Sequence, residues 1–182
     1  MNLRKKKIIW ISGLAGAGKT TLGDQLSSKL WKLDVPNLRV DGDDIRSKFA
    51  KIWHVSERFD RKSRAKLNQA YAQLGKLALE QGFVGIVTTI SMPSEEAMAQ
   101  LYGEGNYLRI YLIATRCNLE KRRQSLYQVK NQSDSRGAVV GCDICYIEPE
   151  NLDWIFCMDK PLDLDESILK ILDNLVPTRG AV

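Results

Sequence analysis

The run Gly13-Leu14-Ala15-Gly16-Ala17-Gly18-Lys19-Thr20 fits G-x-x-x-x-G-K-[ST] at every defined position, with Thr21 following it. Glycines let such a backbone curl until successive N–H groups point inward at phosphate oxygens. A helix opening near Gly18 adds the positive end of its dipole at the same spot. Lys19 has the reach to touch β- and γ-phosphates, and the Thr20 hydroxyl is a hard oxygen that suits Mg²⁺. The chemistry implied is binding of a nucleoside triphosphate, with ATP and Mg²⁺ as the expected cofactors. A second cluster, Asp41-Gly42-Asp43-Asp44-Ile45-Arg46, crowds three carboxylates after a short apolar run. Phosphoryl transfer needs one group to orient the acceptor hydroxyl and take its proton, and others to hold a hydrated metal. Asp43 is the expected base with Asp41 as the alternative, Thr20 and Asp41 are the expected metal-side residues, and Asp43 or Asp44 can also cap a following helix.

These groups need a scaffold that brings two loops together. Short β-branched or apolar runs alternate with longer helical patterns, which predicts a three-layer α/β fold built on a parallel sheet. Strands are expected at Ile8–Ser12, Leu38–Asp41, Phe83–Thr89, Tyr107–Ala114 and Leu152–Met158. The expected strand order is 2-3-1-4-5, in the P-loop NTPase (nucleotide-kinase-like) arrangement with a lid. Leu22, Leu26, Leu30 and Leu33 recur at helical spacing behind Gly18. Leu67, Ala70, Tyr71, Leu74, Leu77 and Ala78 do the same, with Gly82 as the predicted C-cap. Ile168, Leu172 and Leu175 mark a last helix that Pro177 stops. Residues 131–150 are polar and aperiodic, and read as a lid or mobile loop. One domain over 1–182, with a basic extension at 1–7, is the expected organisation.

Several function classes drop out. The guanine-reading Asn-Lys-x-Asp of a GTPase is absent, and no second domain accompanies the loop as in a motor ATPase. The 182 residues are 44% hydrophobic, too apolar for disorder, and no run approaches the roughly 18 apolar residues of a membrane helix. The apolar run after Arg4 and Lys5 to Lys7 is too short for a signal peptide, so a cytoplasmic location is expected. Cys117, Cys142, Cys145 and Cys157 then read as free thiols, and a lone C-x-x-C beside a single histidine, His54, favours loop cysteines over a zinc site. The net charge of +5 is uneven: residues 1–140 carry 24 basic and 13 acidic side chains, residues 141–182 carry 3 and 9. The excess gathers around the predicted crevice, which suits polyanionic small molecules better than nucleic acid.

Three stretches in order, Gly13 to Thr21, Asp41 to Arg46, and Thr88-Thr89-Ile90-Ser91-Met92-Pro93, make the chain resemble the adenylylsulfate kinase family, from about Ile8 to the final helix. The resemblance implies transfer of the γ-phosphate of MgATP to the ribose 3′-hydroxyl of a nucleotide. It places Asp43 on the second acid of the family's Asp-Gly-Asp-Asn-x-Arg motif, Arg46 on its arginine, and Ser91 on the serine of Phe-Ile-Ser-Pro, with Asp44 in place of the usual Asn. Ser91, Ile90 and Met92 are then expected to contact the acceptor. Asp41 is expected among the same acceptor contacts, and Arg46 with Arg61 or Arg64 to grip its anionic end. Trp53 and Phe49 are candidates for stacking the acceptor base, with core packing the favoured alternative for Phe49. Arg122 and Arg123 stand where related kinases carry lid arginines, Arg122 toward ATP and Arg123 toward the moving phosphoryl group.

The departures from the family pattern are as informative. Gln69-Ala70 stands where the family has a double arginine, Ser125-Leu126-Tyr127-Gln128-Val129-Lys130-Asn131 lacks most of its basic residues, and Val139 replaces a stacking Phe. These losses predict a less anionic acceptor or a smaller base. The chain also resembles a capsule-associated branch that phosphorylates cytidine diphosphoramidate. Other expected readings are a non-catalytic ATP-binding relic and, for assembly, a homodimer as the alternative to a monomer.

Overall fold

The computed structural model describes residues 8–49, 52, 61–123, 140–141, 145–160 and 162–175, with only the backbone for 61–64 and 162. Five strands form one parallel sheet: β1 (Ile8–Gly13), β2 (Asn37–Asp41), β3 (Val84–Thr89), β4 (Tyr107–Ile113) and β5 (Trp154–Cys157). Their order is β2-β3-β1-β4-β5, as the sequence predicts. Between them lie α1 (Lys19–Lys32), α2 (Gly42–Phe49), α3 (Arg61–Glu80), α4 (Glu95–Tyr102), α5 (Arg116–Arg122) and, at the end, α6 (Leu162–Leu175). Central strand β1 is buried along its whole length because both of its edges and both of its faces are covered.

Alternation along the strands divides the core. Ile9, Ile11, Leu108, Ile110 and Leu112 face α1 and α6, where Leu22, Leu26, Leu30, Ile168 and Ile171 meet them. Ile8, Trp10, Val40 and Val87 point to the other face and pack on Leu67, Tyr71 and Met98 of α3 and α4. The α3 helix ends at Gly82, whose φ of +79° lets the Phe83 and Gly82 N–H groups return to the Ala78 and Leu79 carbonyls. β3 therefore starts at Val84 rather than Phe83. Three apolar expectations fail: Leu33 closes α1 as its C-cap and is exposed, Leu77 points outward, and Phe49 is exposed rather than in the core. Leu33 and Leu77 keep helical spacing, but α1 ends before Leu33 and α3 rotates Leu77 away from the sheet.

On the second face, where α4 also reaches β4, the chain at 145–153, without regular structure up to Pro149, covers Arg109 and Tyr111 of β4. Arg109 of β4 is 3% exposed, and its guanidinium donates to the Glu150, Asn151 and Pro93 carbonyls at 2.6, 2.7 and 3.2 Å. Its backbone N–H donates to the Asp153 carboxylate at 2.8 Å. Carbonyl acceptors are what a buried guanidinium needs, since its charge cannot be shed. No helix among the described residues is long and apolar enough to cross a membrane.

Candidate active site

The loops after β1, β2, β3 and β4 converge at the carboxyl end of the sheet, the edge where open α/β sheets bind ligands. Gly13 leaves β1 at φ +148°, and a Cβ there would sit 2.5 Å from the Leu112 carbonyl oxygen, so only glycine lets the loop pass β4. Gly18 enters α1 at φ +100°. Leu14 and Ala15 lie half-buried against the α1 side of the core, Ala17 is buried, and the Ala17 N–H closes the turn on the Leu14 carbonyl at 3.1 Å.

Lys19 opens α1 and bends its ammonium back to the Leu14 carbonyl at 2.9 Å. Burial pulls its pKa down to about 8; the Asp41 carboxylate resists that shift, while the Arg123 and Arg46 charges add to it. The ammonium thus lies over the loop that would receive a phosphate. Thr20 donates its hydroxyl to Asp41 Oδ2 at 2.9 Å, and Thr21 is exposed on the same turn.

Asp41, at the end of β2, is 5% exposed. Its Oδ2 also accepts from Thr88 Oγ1 at 2.7 Å, and its Oδ1 accepts from the Asp43 and Asp44 N–H groups at 2.9 and 3.3 Å. Asp41, not Asp43 or Asp44, therefore caps α2, and the helix begins at Gly42, two residues earlier than an Asp43 cap would start it. Arg39, two residues back on the same face of β2, lies 3.4 Å from Asp41 Oδ2 and pairs with Asp24 at 2.7 Å and Asp44 at 2.6 Å. Released from capping, Asp43 stands 64% exposed at the mouth of the crevice, ion-paired with Arg46 of the next turn. Arg46 also reaches the Tyr71 phenol, whose pKa is raised chiefly by burial and whose hydroxyl donates to the Gly42 carbonyl at 3.1 Å.

The post-β3 segment is built with equal care. Trp10 Nε1 donates to Thr89 Oγ1 at 2.9 Å and to the Ser91 carbonyl at 3.3 Å. Ser91 then exposes its side chain, which accepts from Asn68 Nδ2 of α3 at 2.7 Å. Ile90 and Met92 are half-buried, Met92 against the α3 side of the core, and the Ile90 carbonyl accepts from the Tyr146 hydroxyl at 3.2 Å. Tyr146 stacks on Tyr111 with ring centroids 6.0 Å apart, and burial raises its pKa.

The two arginines after β4 divide their contacts. Arg122 bridges the Gly16 carbonyl at 3.2 Å and the Met158 carbonyl at 2.6 Å, tying the glycine loop to the end of β5. Arg123 is the one whose charge is felt at Lys19. Arg61 and Arg64 fall on the first turn of α3, with their side chains outside the described residues. Trp53, His54, Cys142 and most of 131–150 also lie outside them, as does the basic stretch 1–7. Sequence reasoning missed Arg39, Asn68, Tyr71 and Tyr146 as site residues. Tyr71 looked like one member of an apolar stripe, and the others carry no motif.

A glycine loop wrapped into a helix N-terminus, a hydroxyl–carboxylate pair behind it and an exposed carboxylate across the crevice define a P-loop phosphotransferase. The sequence pattern of the adenylylsulphate kinase family matches residues 5–156. The chain is 38% identical over 169 residues to the cytidine diphosphoramidate kinase of Campylobacter jejuni, covering 92% of this chain and 95% of that one. It is 28% identical over 175 residues to the adenylyl-sulfate kinase of Prochlorococcus marinus, covering 94% and 84%. Among solved structures, the Mycobacterium tuberculosis APS kinase in complex with AMPPNP and APS superposes with a TM-score of 0.77 at 21% identity, covering 94% of this chain and 98% of that one. The chain belongs to the adenylylsulphate kinase family, and it is a kinase with an alcohol acceptor.

Proposed function

We propose that this kinase transfers the γ-phosphoryl group of MgATP to the ribose 3′-hydroxyl of cytidine diphosphoramidate. The observation that carries the acceptor is the 38% identity to the Campylobacter kinase of that name over nearly the whole of both chains. Gln69-Ala70 in place of the family's double arginine supports the same reading. Adenylylsulfate and cytidine diphosphoramidate carry the same formal charge, so charge does not separate them, contrary to the expectation from the missing arginines. The terminal group does: a sulfate presents only acceptors, which arginine donors satisfy, whereas a phosphoramidate presents an N–H as well.

In this reading Lys19 and the loop N–H groups bind the β- and γ-phosphates. The donor set fits Mg²⁺, a hard cation that is held by few protein oxygens and by substrate phosphates. Thr20 would hold it, with Asp41 behind as the acceptor that fixes the Thr20 rotamer; when bound, the metal spreads the phosphate charge. Asp41, engaged by four protein donors, is positioned to orient rather than to abstract. Asp43 takes the proton of the 3′-hydroxyl as its oxygen bonds to the γ-phosphorus and the bond to the β–γ bridging oxygen breaks, releasing ADP. Arg46 pairs with Asp43 and aims it, and Arg123 contributes positive charge beside Lys19.

The test is ADP release with MgATP and each of cytidine diphosphoramidate, adenylylsulfate and CDP, with the product phosphate located by ³¹P NMR. Acceptor-dependent turnover is expected to be fastest with cytidine diphosphoramidate, and the new phosphate to sit on the 3′-oxygen. Faster turnover with adenylylsulfate would replace the acceptor, and ATP binding without stimulation by any of the three would remove the kinase assignment.

A further inference from the structure

Asn68 sits on α3 one helical turn before Tyr71, so both share the face that looks toward Asp43 and Arg46. Across from it, the Ser91 hydroxyl oxygen accepts from Asn68 Nδ2 at 2.7 Å. That one bond sets the polarity of both groups. Ser91 has spent a lone pair on Asn68, so its own O–H proton is available to donate outward. Asn68 has spent an amide hydrogen, and among the described residues its Oδ1 accepts from no donor. Side by side, the pair therefore has the Ser91 O–H and the second Asn68 amide hydrogen as donors, and Asn68 Oδ1 as its acceptor. A terminal sulfate or phosphate offers only acceptor oxygens and would meet Asn68 Oδ1 with repulsion. A terminal phosphoramidate offers an oxygen to Ser91 and an N–H to Asn68 from the same phosphorus.

We infer that Asn68 is the specificity-determining residue for the acceptor's terminal group, reading the amide of a nucleoside diphosphoramidate through Oδ1 while Ser91 donates to the neighbouring oxygen. This rests on the acceptor reading above and names the residue that enforces it. The amide of Gln69, exposed on the next position of α3, adds no contact to the pair. A site built to pair a substrate N–H discriminates against the analogue that lacks it, because its own polar atom is then left facing an acceptor.

The test holds the nucleoside constant and varies only the terminus, comparing kcat/KM for cytidine diphosphoramidate with that for CDP in the wild type, Asn68→Leu and Asn68→Asp. The wild type is expected to favour the amidate by at least about tenfold. In Asn68→Leu, which keeps the size and removes both polar atoms, the ratio falls toward one. In Asn68→Asp the acceptor oxygen remains and the preference persists, even as overall turnover drops through added negative charge. KM for MgATP reports whether each variant keeps its fold. A wild type that uses the amidate and an Asn68→Leu variant that discriminates as sharply would overturn the role of Asn68 alone. A wild type that ignores both cytidine nucleotides would overturn the acceptor reading and this inference with it.

Discussion

Lys19 offers the sharpest test of the site's electrostatics. Its pKa of about 8 means that the nucleotide-free protein loses the loop's main cation within an experimentally mild range. With that midpoint, roughly nine-tenths of Lys19 is charged at pH 7 and about one-tenth at pH 9. If the triphosphate needs the ammonium, its apparent Kd rises about tenfold over that interval, equivalent to about 1.4 kcal/mol. Near the midpoint, binding must also draw in about half a proton per complex, because the phosphates restore the charge. Isothermal titration of a non-hydrolysable ATP analogue, without acceptor, in buffers of different ionisation enthalpy measures both quantities. Arg123→Ala removes one of the charges that depress Lys19, so its Kd profile should shift to higher pH. The sign for folding runs the same way: the unfolded lysine binds more protons between about pH 8 and its ordinary 10.5, so the Lys19 contribution to stability grows as pH climbs through that window. A Kd flat from pH 7 to 9, with no proton uptake at pH 8, would refute the reasoning.

Two further outcomes follow from the acid cluster. Asp43→Asn should lower kcat by about 10²- to 10⁴-fold while the calorimetric Kd for ATP stays within about twofold, since a general base contributes to the transfer and not to donor binding. Arg39→Met should destabilise the fold by about 1–3 kcal/mol in urea denaturation, because it leaves buried Asp41 without its neighbouring cation and frees Asp24 and Asp44. It should also raise KM for Mg²⁺ by loosening the carboxylate behind Thr20, whereas an effect on stability with no change in metal dependence would leave Arg39 a purely structural residue.

Where the sequence was legible, the reason is local. The glycine loop, the five strands and the Gly82 cap all depend on short spacings whose physics is carried by the residues themselves, whereas the strand order was expected only as the arrangement typical of P-loop kinases. The position of Asp43 was legible for the same reason, but its freedom from capping was not, because that depends on Asp41, whose Oδ2 is held by Thr88 and Thr20 from other elements while its Oδ1 takes the α2 N–H groups. Arg39, Asn68 and Tyr146 were illegible on similar grounds: each is an ordinary residue type whose role is created by a partner on a distant strand or loop. Leu33 and Leu77 show the converse, apolar positions with the right period that the end of one helix and the rotation of the other leave facing water.

The pairing of β1 has a consequence for how this protein comes into being. Ser12, the last step before the glycine loop, lies in register with Thr89 on one side and Tyr111 on the other. Neither neighbour of β1 is next to it in the chain, so each pairing closes a loop that contains at least two other elements. Such non-local closure is slow, and no partial fold made of adjacent segments can contain a finished nucleotide cradle. A nucleotide that binds the native cradle, present at a hundredfold excess over its Kd, adds about 2.7 kcal/mol to the native state. During synthesis the loop leaves the ribosome early and can meet β4 only after Tyr107–Ile113 has followed it.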